Sequence, residues 1–91
     1  MADIVRDASA QWNGTIKEGS GTFSVGSNVI KDVPYTFAAR FETAPGTNPE
    51  ELIGAAHAAC FTMNLTGTLG KHGFTAKTIN TTATVTLSGP Q

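Results

Sequence analysis

The chain contains a single cysteine, Cys60, three residues after His57 in the run GAAHAACF, with Glu50 and Glu51 ten and nine residues before it and Arg40 further upstream. A thiol acts as a nucleophile when its thiolate is populated, which needs a nearby cation, hydrogen-bond donors or a helix N-terminus. Cys60 falls in the middle of an expected helix, so the helix dipole contributes little, and a lone cysteine among alanines is most often a small, inert core residue. Arg40 is the available cation. Within the apolar strand expected around it, burial would require an anion, and Glu50 or Glu51 is the candidate carboxylate; the plainer reading leaves its guanidinium in water at a strand end. His57 lies one turn before Cys60, close enough to touch on a helix, yet that spacing does not by itself give the geometry of a base. His57, Cys60 and the distant His72 lack a fourth ligand at metal-site spacing. Gly19, Gly21 and Gly26 match no phosphate-binding pattern, because no strand-to-helix turn follows them.

The element that must carry Cys60 is a helix within Thr47 to Phe74. Asn48 is a capping residue, Pro49 suits the first helical position, and Glu51 completes a capping box, with both glutamates at the positive helix end. Lys71 and His72 occupy the last turn, Gly73 suits a left-handed cap, and Phe74 is placed to fold back onto Leu69. The helix so bounded has about five to seven turns. Leu52 to Met63 is small or apolar on nearly every side, which predicts a buried helix, and the alanines and glycine of Gly54 to Ala59 predict close approach of another backbone. At about 100° per residue, Ile53, His57, Cys60 and Asn64 share one stripe.

The remainder reads as sheet. Residues 1–6 are an expected lead-in. Ala8, Ala10 and Trp12 alternate with polar neighbours, with Trp12 as anchor. Asn13-Gly14 is a hairpin turn signal, unless Thr15 and Ile16 continue the strand through a bulge. Thr22 to Val25 starts a second strand, closed by the turn Gly26-Ser27-Asn28. Tyr35 to Phe41 alternates strongly, with Tyr35, Phe37, Ala39 and Phe41 on one face, and predicts a third strand ending near Arg40. A loop over Glu42 to Gly46 leads into the helix. Beyond the helix, Ile79, Thr81, Ala83, Val85 and Leu87 alternate with polar residues as a final strand. Gly89-Pro90-Gln91 is a turn signal with nothing after it, so the expectation is that the chain is cut short.

Composition narrows the function. Ninety-one residues make one domain, 1–91, of a size that gains from dimerisation. The net charge is −1 with 14% charged residues and no basic cluster, which argues against nucleic acid or membrane surfaces as partners. One cysteine forms no internal disulfide, and no apolar run reaches signal-peptide or membrane-span length; a soluble protein of the reducing cytoplasm is expected.

The segment Pro34-Tyr35, Arg40-Phe41-Glu42, GTNPEELI (46–53) and GAAHAACF (54–61), with Trp12 and Gly14, resembles the OsmC and organic hydroperoxide resistance family of bacterial peroxidases, and its OsmC branch in particular, from about Trp12 to Leu87. The resemblance implies an α+β fold, β-β-β-α-β here, in which an intertwined homodimer wraps antiparallel sheet around long central helices. It implies that Cys60 is the peroxidatic thiol, that Arg40 stabilises the thiolate and orients the peroxide, and that Glu50 holds Arg40, with Glu51 the neighbouring candidate. No metal or organic cofactor is implied. The partners implied are a second copy of the chain, an organic hydroperoxide, and a small or protein dithiol that supplies electrons; Phe41 and Phe61 are candidate apolar walls for the organic group. The family's second, resolving cysteine belongs to a later helix, and this chain has none. It therefore resembles the N-terminal part of such a protein, a truncated form, or one whose missing half is another chain. The alternatives are a non-catalytic dimerisation or small-molecule-binding domain with a buried, inert Cys60, and a remnant with weak one-cysteine activity.

Overall fold

A computed structural model describes residues 2–88 of the chain. They form two compact units divided between Asn48 and Pro49. In the first, strands β1 (Ala8–Asn13), β2 (Ser20–Val25) and β3 (Val33–Tyr35) precede a short helix α1 (Phe37–Phe41); the second holds the long helix α2 (Pro49–Lys71). The architecture is α+β, as expected.

The three strands make an antiparallel sheet in the order β1-β2-β3. Asn13 pairs with Ser20, and Gly14 turns the chain at φ +95°, so the hairpin turn is realised and Thr15 and Ile16 do not continue the strand. The loop is held by Gly19 N–H donating to the Thr15 carbonyl at 2.8 Å, an oxygen that also accepts the Trp12 indole N–H at 3.1 Å. The register aligns Gly21 with both Trp12 and Tyr35. A Cβ on Gly21 would stand 2.5 Å from the Trp12 ring and 2.8 Å from the Tyr35 ring, so its bare Cα is what lets the two rings meet edge to face at 5.3 Å. Phe23 joins them, 5.6 Å from Tyr35. The expected turn at 26–28 is present, with Asn28 in the left-handed region at φ 65° and its N–H bonded to the Val25 carbonyl at 2.9 Å.

The strand expected over Tyr35 to Phe41 is corrected. It stops at Tyr35, and Phe37–Phe41 is helical. The apolar set Phe37, Ala39, Phe41 fits a strand face, but Phe37 and Phe41 are also one helical turn apart, and their rings meet at 4.9 Å. Thr36 decides between the two, because its hydroxyl accepts the Ala39 N–H at 3.1 Å and caps the turn. Arg40 accordingly lies in the last turn of α1, not at a strand end.

Helix α2 begins and ends where its local chemistry says. Glu50 and Glu51 occupy its first turn and Lys71 its last. Gly73 takes φ +83°, its N–H bonding the Gly70 carbonyl at 3.1 Å, while the Phe74 N–H bonds the Leu69 carbonyl at 2.9 Å. Those two bonds are the 5→2 and 6→1 pair of a Schellman cap. The expected burial of α2 on all sides is corrected: Gly54 is its buried residue, and Ile53, Phe61 and Met63 are exposed. Small side chains leave most of this helix little to bury. The expected close approach does occur, at Gly54, where a Cβ would lie 3.4 Å from Val85 and 3.5 Å from the Ala83 carbonyl.

The final strand is corrected in part. Residues 79–83 keep the expected alternation, with Ile79, Thr81 and Ala83 half-buried and Asn80 and Thr82 exposed, but Val85 and Leu87 are exposed against expectation, and residues 79–88 form no strand. The reason is the surface they lie on: the interior backbone groups of α2 are already bonded along the helix, so docking is by side chains and one hydroxyl pair. Thr62 donates to the Ala58 carbonyl at 2.7 Å and shares a 2.6 Å hydrogen bond with Thr81. The turn expected at 89–91 lies outside the described residues.

Two stability tests follow from these contacts. Gly73→Ala should lose about 1 kcal/mol in urea unfolding through its left-handed backbone, whereas Gly70→Ala, in open space within α2, should gain up to about 1 kcal/mol. Gly54→Ala should be neutral or stabilising, since its methyl meets ordinary van der Waals distances, while Gly54→Leu should cost about 1–3 kcal/mol by displacing residues 83–85. Equal melting of Gly54→Leu and the parent would refute the close contact.

Candidate functional site

Cys60 sits midway along α2 and is exposed, which corrects the reading of it as a buried core thiol. The stripe expected from helical periodicity is realised in part around it, for Ile53 is exposed and does not line the groove. His57, Cys60 and Asn64 line one open groove together with Phe61, Leu65 and Thr68. Phe61 and Leu65 give this groove apolar lining, and the exposed thiol is open to a solvent-borne electrophile. His57 is also exposed, and among the described residues no cluster of three or more metal-ligating side chains occurs.

Glu50 and Glu51 are carried by the same helix, half-buried and exposed respectively. Ten residues separate Glu50 from Cys60, which at the helical rise is about 15 Å along the axis. The helix therefore does not bring the carboxylate to the sulfur, and an effect of Glu50 on Cys60 has to pass through another group.

Arg40 belongs to the first unit. It is exposed, and its guanidinium carbon lies 5.1 Å from the centre of the Phe41 ring. It also lines a cup of about 210 Å³ whose other walls are Trp12, Ile16, Tyr35, Thr36, Phe37 and Phe41. Three of these residues, Trp12, Ile16 and Tyr35, are not apparent from the sequence as neighbours of Arg40. The signal that finds them is the sheet register, since Gly21 faces both Trp12 and Tyr35 and α1 follows Tyr35 after one residue. Asn48, the last residue of this unit, donates from Nδ2 to the Ala39 carbonyl at 2.9 Å.

No helix among the described residues is long and apolar enough to cross a membrane. Two curated relatives resemble the chain closely: the proteins named peroxiredoxin OsmC from Escherichia coli K12 and from Shigella flexneri, each 56% identical over 84 residues. The match covers 92% of this chain and 59% of each relative, so the chain spans somewhat under two thirds of their length. The family model described as OsmC-like protein matches residues 42–91, a stretch that takes in Glu50, Glu51 and Cys60. With more than half of its residues within that match, the chain belongs to the OsmC-like protein family.

Proposed function

We propose that this chain is the thiol-bearing part of a cysteine peroxidase that reduces organic hydroperoxides, and hydrogen peroxide as a smaller substrate, in defence against oxidative and osmotic stress. The observation that carries the reading is the exposed Cys60 in an open, partly apolar groove of a helix. The name peroxiredoxin borne by relatives 56% identical supports the same chemistry. An inert, buried cysteine, the basis of the non-catalytic alternative, does not accord with that exposure.

In the proposed reaction the Cys60 thiolate attacks the terminal oxygen of ROOH. An S–O bond forms as the O–O bond breaks; sulfur loses two electrons and becomes a sulfenic acid, while the departing RO⁻ takes a proton and leaves as the alcohol. Arg40 stabilises the negative charge on sulfur and then on the leaving oxygen, a role for which its fixed N–H fork is suited. Glu50 holds Arg40, with Glu51 beside it as the second candidate. Because Glu50 is about 15 Å along the helix from the sulfur, it acts on Arg40 and not on the thiol. A small or protein dithiol then reduces the sulfenic acid, releasing water and becoming a disulfide. The two units are read as parts of one OsmC-like domain, residues 1–91, which pairs with a second copy as a cytoplasmic homodimer and needs no metal or organic cofactor.

Consumption of cumene hydroperoxide with dithiothreitol as reductant tests these assignments. Cys60→Ser should fall to the rate of the uncatalysed reaction, and Arg40→Ala should lose about a hundredfold in kcat/KM. Glu50→Gln should lose less than Arg40→Ala, and nothing further when combined with it, as expected for a residue that acts through the arginine. Undiminished turnover in Cys60→Ser would remove the thiol from the mechanism.

A further inference from the structure

The pair that turns the β1–β2 hairpin, Asn13 and Gly14, can also react with itself. An asparagine side-chain carbonyl carbon is open to attack by the backbone nitrogen of the next residue, which closes a succinimide ring. Bulk on the next residue's Cβ hinders that attack, and so does a backbone N–H that is missing or already bonded. Gly14 has no Cβ. The strand ladder ends with Asn13 opposite Ser20, and among the described residues no backbone hydrogen bond runs from the Gly14 N–H. The Asn13 side chain is exposed, and the bond from its Nδ2 to the Gln11 Oε1 is a long 3.4 Å, too weak to hold the amide away.

The other asparagines are each protected. Asn48 precedes Pro49, whose nitrogen carries no hydrogen to lose. Asn64 precedes Leu65 in the interior of α2, where backbone N–H groups are bonded along the helix. Asn28 and Asn80 precede Val29 and Thr81, whose branched Cβ crowds the attacking nitrogen.

The effect on the fold follows from how tightly the loop is closed. The Thr15 carbonyl accepts both the Gly19 N–H and the Trp12 indole N–H. Gly19 is packed so closely that a Cβ there would collide with the carbonyl oxygens of Asn13 and Thr15. Aspartate at position 13 keeps the backbone length, and Asp-Gly suits the same hairpin. Isoaspartate instead routes the backbone through the former side chain, adding a methylene where the loop has no slack.

We propose that Asn13 is a site of spontaneous deamidation, and that its isoaspartate product opens the β1–β2 hairpin. The Gly14 nitrogen bonds to Asn13 Cγ as the bond from Cγ to Nδ2 breaks, and the Gly14 proton leaves with Nδ2 as ammonia. Water then cleaves the imide: at Cγ it yields aspartate, at the backbone carbonyl carbon isoaspartate. Water is the sole co-reactant, and no atom changes oxidation state. Ring closure waits for the Asn13–Ser20 rung to open, and a rung at the end of a ladder opens before the rest.

The full chain is held in mildly alkaline buffer and followed by anion exchange and intact mass, with a urea-unfolded sample alongside. An acidic species should accumulate in the folded sample, its mass changed by O in place of NH, and peptide mapping should place aspartate and isoaspartate at position 13. Asn13→Gln, which would have to close a larger ring, should lose this species; Asn28→Gln and Asn80→Gln should form it as the parent does. Trp12 is the single tryptophan, so its emission reports on the hairpin. The isoaspartate form, resolved by chromatography, should emit further to the red and unfold at lower urea than the parent. Asn13→Asp, with the charge but no added methylene, should match the parent in both. An acidic species that maps to another asparagine, or deamidation at Asn13 in the unfolded sample and none in the folded one, would overturn the site. An isoaspartate form with the parent's emission and urea midpoint would overturn the opening of the hairpin.

Discussion

Helix α2 has little side chain to bury, and the second unit depends on the close approach of the later residues to its backbone at Gly54. At Gly54 the neighbouring atoms are the Val85 side chain and the Ala83 carbonyl, at distances that leave room for a methyl and no more. The half-buried Ile79, Thr81 and Ala83 follow from that approach, and the Thr62–Thr81 hydrogen bond fixes the docking further along the helix. A larger residue at Gly54 would lift the extended segment away. Because the contact uses one side of α2, the stripe holding His57, Cys60 and Asn64 is left open and the thiol is reachable.

The first unit is organised by a second missing side chain. Gly21 faces Trp12 on one neighbouring strand and Tyr35 on the other, and its bare Cα gives both rings space over the sheet. The chain leaves β3 at Tyr35 and turns at Thr36 into α1, which delivers Phe37, Arg40 and Phe41 to the same cup. Exposed cation and aromatic wall are thus set by one register and one cap.

Features governed by neighbours in the chain were legible in the sequence. The ends of α2 were, because a proline at the first position, acidic residues beside it and a glycine after the last turn each act on groups within a few residues. The hairpin turn at Asn13-Gly14 was legible for the same reason. Phe37 to Phe41 misled because its spacing suits a strand face and a helical turn alike, and the Thr36 cap that decides between them weighs little in an alternation pattern. Alternation over 79–83 correctly assigned the inward side chains but carried no information on hydrogen-bonded partners. Cys60 could be placed on its stripe, whereas its exposure depends on which face of α2 the later residues cover. The candidate residues Cys60, Arg40, Glu50 and Glu51 stood out by type, their roles came from family resemblance, and the cup beside Arg40 came from neither, since it requires the pairing of three strands.

The account stands or falls on Cys60 being a thiol that a peroxide oxidises by two electrons. Intact mass of the 91-residue chain after one equivalent of cumene hydroperoxide, with dimedone present to trap a sulfenic acid, measures that step without a reductant. The account predicts one dimedone adduct per chain, located on Cys60 by fragmentation and formed faster in the parent than in Arg40→Ala. A folded chain that consumes no peroxide and carries no adduct on Cys60 would contradict it.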